Sequence, residues 1–124
     1  MIKVPVSVGE LIDKITILEI KLERMKDKNK KDNVRHEYEI LMSLVKEHKI
    51  SYPNEQIALK KINERLWDIE DFMRRAEAEK KFGKEFIELT RDEYRSNDER
   101  ARIKRKINDQ VGSELVEEKE YVSY

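Results

Sequence analysis

The sequence contains no cysteine, only one tryptophan, two prolines and three glycines. The missing thiols exclude disulfides, thiolate catalysis and cysteine-based zinc or iron–sulfur sites, and they are compatible with either redox environment. A net charge is missing too. The 27 basic residues are matched by 27 acidic ones, so no global field draws the chain to nucleic acid or to an anionic membrane, and any such binding must come from a local patch. No run of about 18 apolar residues is present to span a bilayer. Met1–Glu10 lacks a basic stretch followed by an apolar core, so no secretory signal is expected and the default compartment is the cytoplasm. Gly-rich phosphate loops, GxSxG elbows and HExxH patterns are likewise absent.

What the chain does have is charge and regular apolar spacing. Charged residues make up 44% and hydrophobic ones 38%, the profile of long amphipathic helices. The even charge balance and the periodicity separate it from disordered chains, which usually carry a large net charge and no such pattern. At 124 residues the chain suits one domain, residues 1–124.

Ile2, Val4 and Val6 alternate with Lys3 and Pro5, a β-like period in which Pro5 restricts any strand to an edge. Ser7-Val8-Gly9-Glu10 has the spacing of a capping box and predicts the start of a first helix. Its Leu11, Ile15, Leu18, Leu22 and Met25, widened by Ile12, Ile17 and Ile20, make it the expected centre of the core. Asp32 or Asn33 is the expected cap of a second helix carrying Val34, Tyr38, Leu41, Val45 and His48 and ending near Ile50. After the turn signal Ser51-Tyr52-Pro53-Asn54, the residues Leu59, Ile62, Leu66, Ile69, Met73 and Ala76 form a heptad-like seam that predicts a long helix packing like a coiled coil. Phe82-Gly83 interrupts it. Phe86, Ile87, Leu89 and Tyr94 mark a fourth helix, a second capping-box match at Ser96-Asn97-Asp98-Glu99 predicts a break or kink, and Ile103, Ile107 and Val111 make a fifth segment ending at Gly112. Val116, Tyr121, Val122 and Tyr124 favour an extended tail able to pair with the N-terminal arm. The expected class is all-α: an antiparallel bundle or helical hairpins with short extended termini.

Two charged sets suggest chemistry. Glu10 and Asp13 share a face of helix one, while Glu64, Asp68 and Asp71 recur at helical spacing on helix three, where facing carboxylates suit Mg²⁺. Lys14, Lys21 and Arg24 on helix one and Arg74 beyond Trp67 on helix three could converge on a small anion, because positioning and charge alone can carry such catalysis. Taken together, Glu10, Asp13, Lys14, Lys21, Arg24, Trp67, Asp71 and Arg74 are the ligand-site set, with Mg-dependent phosphate chemistry or anionic-metabolite binding as its use. The bland reading is solvated faces and ion pairs such as Glu70–Arg74, and it leaves no metal or cofactor called for. A third set, Arg100, Arg102, Lys104, Arg105 and Lys106, resembles a phosphate-contacting helix, but helical geometry spreads these charges round the cylinder and argues against nucleic acid as the partner. His36 and His48 have no partner at metal or triad spacing and read as structural. Trp67 reads as a core or interface anchor.

The stretches SVGELIDKITILEIKLERM (Ser7–Met25), INERLWDIED (Ile62–Asp71) and NDERARIKRKIN (Asn97–Asn108) with the GSELVEEKEY tail resemble a family of small uncharacterised bacterial and phage-encoded helical proteins. The resemblance spans most of the chain and is weakest over helix two; it implies no activity, catalytic residue or substrate. Helices one and three carry more apolar surface than so small a domain can cover by itself, so the expected function is a binding or assembly module whose partner is a second copy or another protein.

Overall fold

A computed structural model of the chain describes residues 1–124 and contains four helices: α1 (Val8–Arg24), α2 (Lys28–Glu47), α3 (Pro53–Glu79) and α4 (Lys84–Val111). The fold is all-α. None of the helices is long and apolar enough to cross a membrane.

The ends of the helices follow from local chemistry. The Ser7 hydroxyl accepts from the Glu10 amide at 3.1 Å, which is the first half of the expected capping box. The reciprocal half is replaced, because the Glu10 carboxylate is committed to Lys104 Nζ at 2.6 Å. α2 begins earlier than its apolar pattern indicates: Asp27, not Asp32 or Asn33, accepts from the Lys30 amide at 3.0 Å. The polar run Lys28–Asn33 is exposed for the most part and is helical, since lysine is a good helix former wherever packing does not decide. α2 stops at Glu47, slightly short of Ile50. Pro53 starts α3, where its missing N–H and fixed φ suit a first turn.

Two expectations are corrected. The second capping-box match breaks nothing, and α4 runs unbroken from Lys84 to Val111 in place of two helices. Ser96 is buried in mid-helix and Glu99 pairs with Arg102 at 2.6 Å; the motif satisfies a helix end but does not create one. The termini do not pair as strands. Residues 1–6 and 114–124 belong to no helix or strand and form no backbone–backbone hydrogen bond. The tail is held to α4 by side chains instead, through Glu117–Lys104, Glu118–Arg105 and an edge-to-face pair of Tyr124 with Tyr94. Gly112 ends α4 at φ 65°, as its residue type predicts.

α1 is the central element and touches all three other helices, whereas α2 packs on α1 alone. α3 and α4 form an antiparallel hairpin, fixed by Lys106–Glu55, Arg100–Asn63 and Arg65–Asp92. The core joins Ile12, Leu59 and Ile107, with Val8, Ile50, Tyr52 and Ile103 around them. Leu59 and Ile69 of the α3 seam are buried within the chain, and its other members are partly so. At about 1.5 Å per residue α1 is about 25 Å long and the hairpin helices about 40 Å, which leaves the far end of the hairpin beyond the reach of α1.

The first turn of α1 lies close on α4 at Gly9, where an added Cβ would lie 2.6 Å from the Lys104 carbonyl oxygen. Because backbone cannot yield as a flexible side chain can, Gly9→Ala is expected to destabilise the chain by about 1–3 kcal/mol, read as a lower urea midpoint at unchanged m-value.

Candidate functional site

The three-helix side of the bundle is stitched by polar groups. Ser7, Asp13, Thr16, Asn63, Ser96, Lys104 and Asn108 are all buried. One Asn63 amide donates to Asp13 Oδ1 at 2.8 Å and to Thr16 Oγ1 at 2.9 Å, while Asn63 Oδ1 accepts from Arg100 at 3.3 Å. The Gly9 amide, free at the start of α1, donates to Asn108 Oδ1 at 2.8 Å. Lys104 Nζ reaches Glu10 at 2.6 Å, Glu117 at 2.8 Å and Asp13 at 4.0 Å. No buried side-chain nitrogen or oxygen lacks a partner, the condition under which such a cluster is tolerated inside a core.

Charge states follow from these partners. Burial pulls the Lys104 ammonium toward neutrality, but the hydrogen bonds it donates to Glu10 and Glu117, with the Asp13 charge, outweigh that and hold its titration above the usual lysine value. The Lys104 hydrogen bond lowers the Glu117 carboxyl against a smaller opposing effect of burial.

Beside the cluster a groove of about 460 Å³ runs between α1, α3 and α4. It is lined by Ile17, Ile20, Asn63, Leu66, Trp67, Glu70, Asp71, Arg74, Glu93, Asn97 and Arg100. The eight residues of the ligand-site set do not meet in one place. Glu10 and Asp13 belong to the buried cluster, while Trp67, Asp71 and Arg74 line the groove, Arg74 held by Glu70 at 3.3 Å. Arg24 turns to Asp68 at 2.6 Å and Glu64 at 3.8 Å, Lys14 is exposed, and Lys21 is partly buried. Of the carboxylates considered for Mg²⁺, Glu10 turns to Lys104, Asp13 to Asn63, and Glu64 and Asp68 to Arg24, and no group of three or more His, Asp or Glu is placed to hold a metal ion.

Four of the five members of the basic set pair with carboxylates of the chain, and Arg100 bonds to an amide oxygen. Arg100 donates to Asn63, Arg102 to Glu99, Lys104 is buried, Arg105 pairs with Asp109 and Glu118, and Lys106 lies 3.5 Å from Glu55. Periodicity missed Thr16, Asn63, Asn97 and Asn108. The available signal was polar residues in apolar register: Thr16 follows Ile12 by four positions, and Asn63 follows Leu59 by four.

A second surface lies at the free end of the α3–α4 hairpin. Phe72 is 50% exposed, Phe82 50% and Ile87 55%. Phe82 meets Phe86 edge to face at 5.4 Å, and the Arg75 guanidinium sits 5.2 Å from the Phe72 ring centroid. A cavity of about 410 Å³ opens among Phe72, Ala76, Phe86 and Leu89.

Fold and surfaces together define a small all-α protein made of a helical hairpin with α1 laid against it and α2 packed on α1. The chain belongs to the Family of unknown function (DUF6165), whose model matches residues 2–124. Comparison with curated proteins and with solved structures gave no match.

Two outcomes test the cluster. Asn63→Ala removes the donor that faces the buried Asp13 carboxylate and is expected to destabilise the chain by about 3 kcal/mol, with Asp13→Asn in the same background restoring part of the loss in urea melts. The lowered Glu117 value means that its stabilising contribution is present above the unfolded carboxylate value of about 4.3 and is lost as pH falls through the folded value. Glu117→Gln should therefore flatten the acid limb of the stability–pH curve, measured as urea midpoints between neutral pH and about pH 3, below that reference value.

Proposed function

We propose that the chain is an assembly module that self-associates, burying the free end of the α3–α4 hairpin against the same surface of a second copy. The observation that carries this reading is the exposure of Phe72, Phe82 and Ile87 on the part of the hairpin that α1 does not cover. Large aromatic and aliphatic side chains left together in water mark an interface more often than solitary ones do.

Charge selects the occupant. Residues 70–91 carry six acidic groups (Glu70, Asp71, Glu77, Glu79, Glu85, Glu88) and six basic ones (Arg74, Arg75, Lys80, Lys81, Lys84, Arg91). A two-fold axis brings a patch onto itself, so a surface with both signs in equal number can complement its own copy, whereas a patch of one sign calls for a different partner. The zero net charge of the whole chain removes long-range repulsion between copies. The rival readings draw less from the structure: the ligand-site residues are dispersed, and Arg102, Lys104, Arg105 and Lys106 of the basic segment pair with carboxylates of the chain.

Light scattering coupled to size exclusion at micromolar concentration is expected to return the mass of a dimer. Ile87→Glu with Phe72→Ser should weaken association by about tenfold or more, the equivalent of about 1.4 kcal/mol, without lowering the thermal midpoint extrapolated to the monomer. A monomeric mass for the native chain refutes self-association, and a dimer that survives both substitutions refutes this surface.

A further inference from the structure

The groove beside the buried cluster contains charges that the chain itself leaves unanswered. Seven of the ten arginines meet a carboxylate, and of the three that do not, Arg75, Arg95 and Arg100, only Arg100 lines this groove. Arg100 is partly buried: one of its N–H groups donates to Asn63 Oδ1 at 3.3 Å, and it forms no salt bridge. The guanidinium has five donors in a planar fork suited to a carboxylate. Further along the same groove Asp71 and Glu93 form no salt bridge either.

The antiparallel register orders these groups along the groove. With Asn63 bonded to Arg100, Trp67 on α3 comes about level with Asn97 on α4, and Asp71 about level with Glu93, since each step is close to one helical turn. The groove lining therefore has Arg100 at one end, Asp71 of α3 and Glu93 of α4 at the other beside the mutually paired Glu70 and Arg74, and Trp67 with Ile17 and Ile20 as its apolar lining. Seven residues separate Glu93 from Arg100, a rise of about 10 Å.

We infer that this groove binds a linear zwitterion, with a carboxylate at Arg100 and an ammonium or guanidinium between Asp71 and Glu93. Its charges lie about 10 Å apart, and an aliphatic chain runs over Trp67. A carboxylate arriving at Arg100 gains a charge-assisted bidentate pair. The cation gains two carboxylates and the neighbouring face of an indole. A ligand with one charge satisfies only one end. The volume, about 460 Å³, falls within the usual range of small-molecule sites. This inference does not rest on self-association, because the groove is formed by α1, α3 and α4 of one chain.

Trp67 is the only tryptophan, so its emission reports occupancy directly. The full chain is titrated with 4-aminobutyrate, 6-aminohexanoate and 8-aminooctanoate, and with octanoate and octylamine, following Trp67 fluorescence and, in parallel, calorimetry. The expected result is affinity that rises with length to 8-aminooctanoate, at least tenfold above octanoate or octylamine. Arg100→Gln should reduce 8-aminooctanoate to the level of octylamine. Asp71→Asn, at an exposed position that folding does not depend on, should reduce its margin over octanoate. No signal across the series, affinity independent of length, or octanoate and octylamine binding as well as the zwitterion would each overturn the assignment.

Discussion

The bundle depends on how closely the first turn of α1 can approach α4. Gly9 allows the two backbones to touch, and that contact lets Asn108 receive the Gly9 amide while Lys104 and Glu10 meet directly. One residue without a side chain thus sets the distance at which Asn108 and Lys104 on α4 can serve the start of α1. With the approach fixed, Ile12 falls between Leu59 and Ile107 and closes the core. Asp13, on the next position, is delivered to Asn63 on α3.

A core of this kind trades some hydrophobic stabilisation for register. Apolar side chains tolerate sliding, since one leucine replaces another at similar energy. Asp13 and Lys104 do not: displaced by a turn, each would be a buried charge without a partner, at a penalty of several kcal/mol. Ile12, Leu59 and Ile107 supply the attraction, and the polar cluster determines which of the nearly equivalent helix alignments is kept. The same cluster ties the tail to the body, because Glu117 shares Lys104 with Glu10.

Much of this was legible in the residues. The all-α class, the central place of α1, the Ser7 cap, the helix start after Ser51-Tyr52-Pro53-Asn54 and the Gly112 stop all follow from periodicity and end chemistry. The family was legible as well, from three stretches whose combination is specific. Helix ends marked only by polar residues misled, because lysine-rich turns continue a helix as readily as they leave one. Ser96–Glu99 reads like a start, yet inside α4 Ser96 turns inward and Glu99 takes a salt bridge. Sequence patterning singled out Glu10, Asp13, Trp67, Asp71 and Arg74 as one set, where the fold places the first two in the buried cluster or at its edge and the other three along the groove. That division depends on which residue of α3 lies opposite which residue of α1, a long-range fact with no local signature. Asn63 and Asn108, which carry the division, are short amides whose importance lies wholly in their surroundings.

α2 has a different status from the rest of the fold. It packs on α1 and on no other helix, and Val34 is its one buried residue. Its neighbours α1, α3 and α4 hold one another through mutual contacts, so detaching α2 leaves a three-helix unit with core and polar cluster intact. Stability in such a molecule is tiered: the outer helix opens in a local excursion far smaller than global unfolding, and its amide protons exchange on that shallower scale. Each excursion bares the side of α1 that α2 covers, so of the four helices α2 is the one whose backbone is opened at least cost.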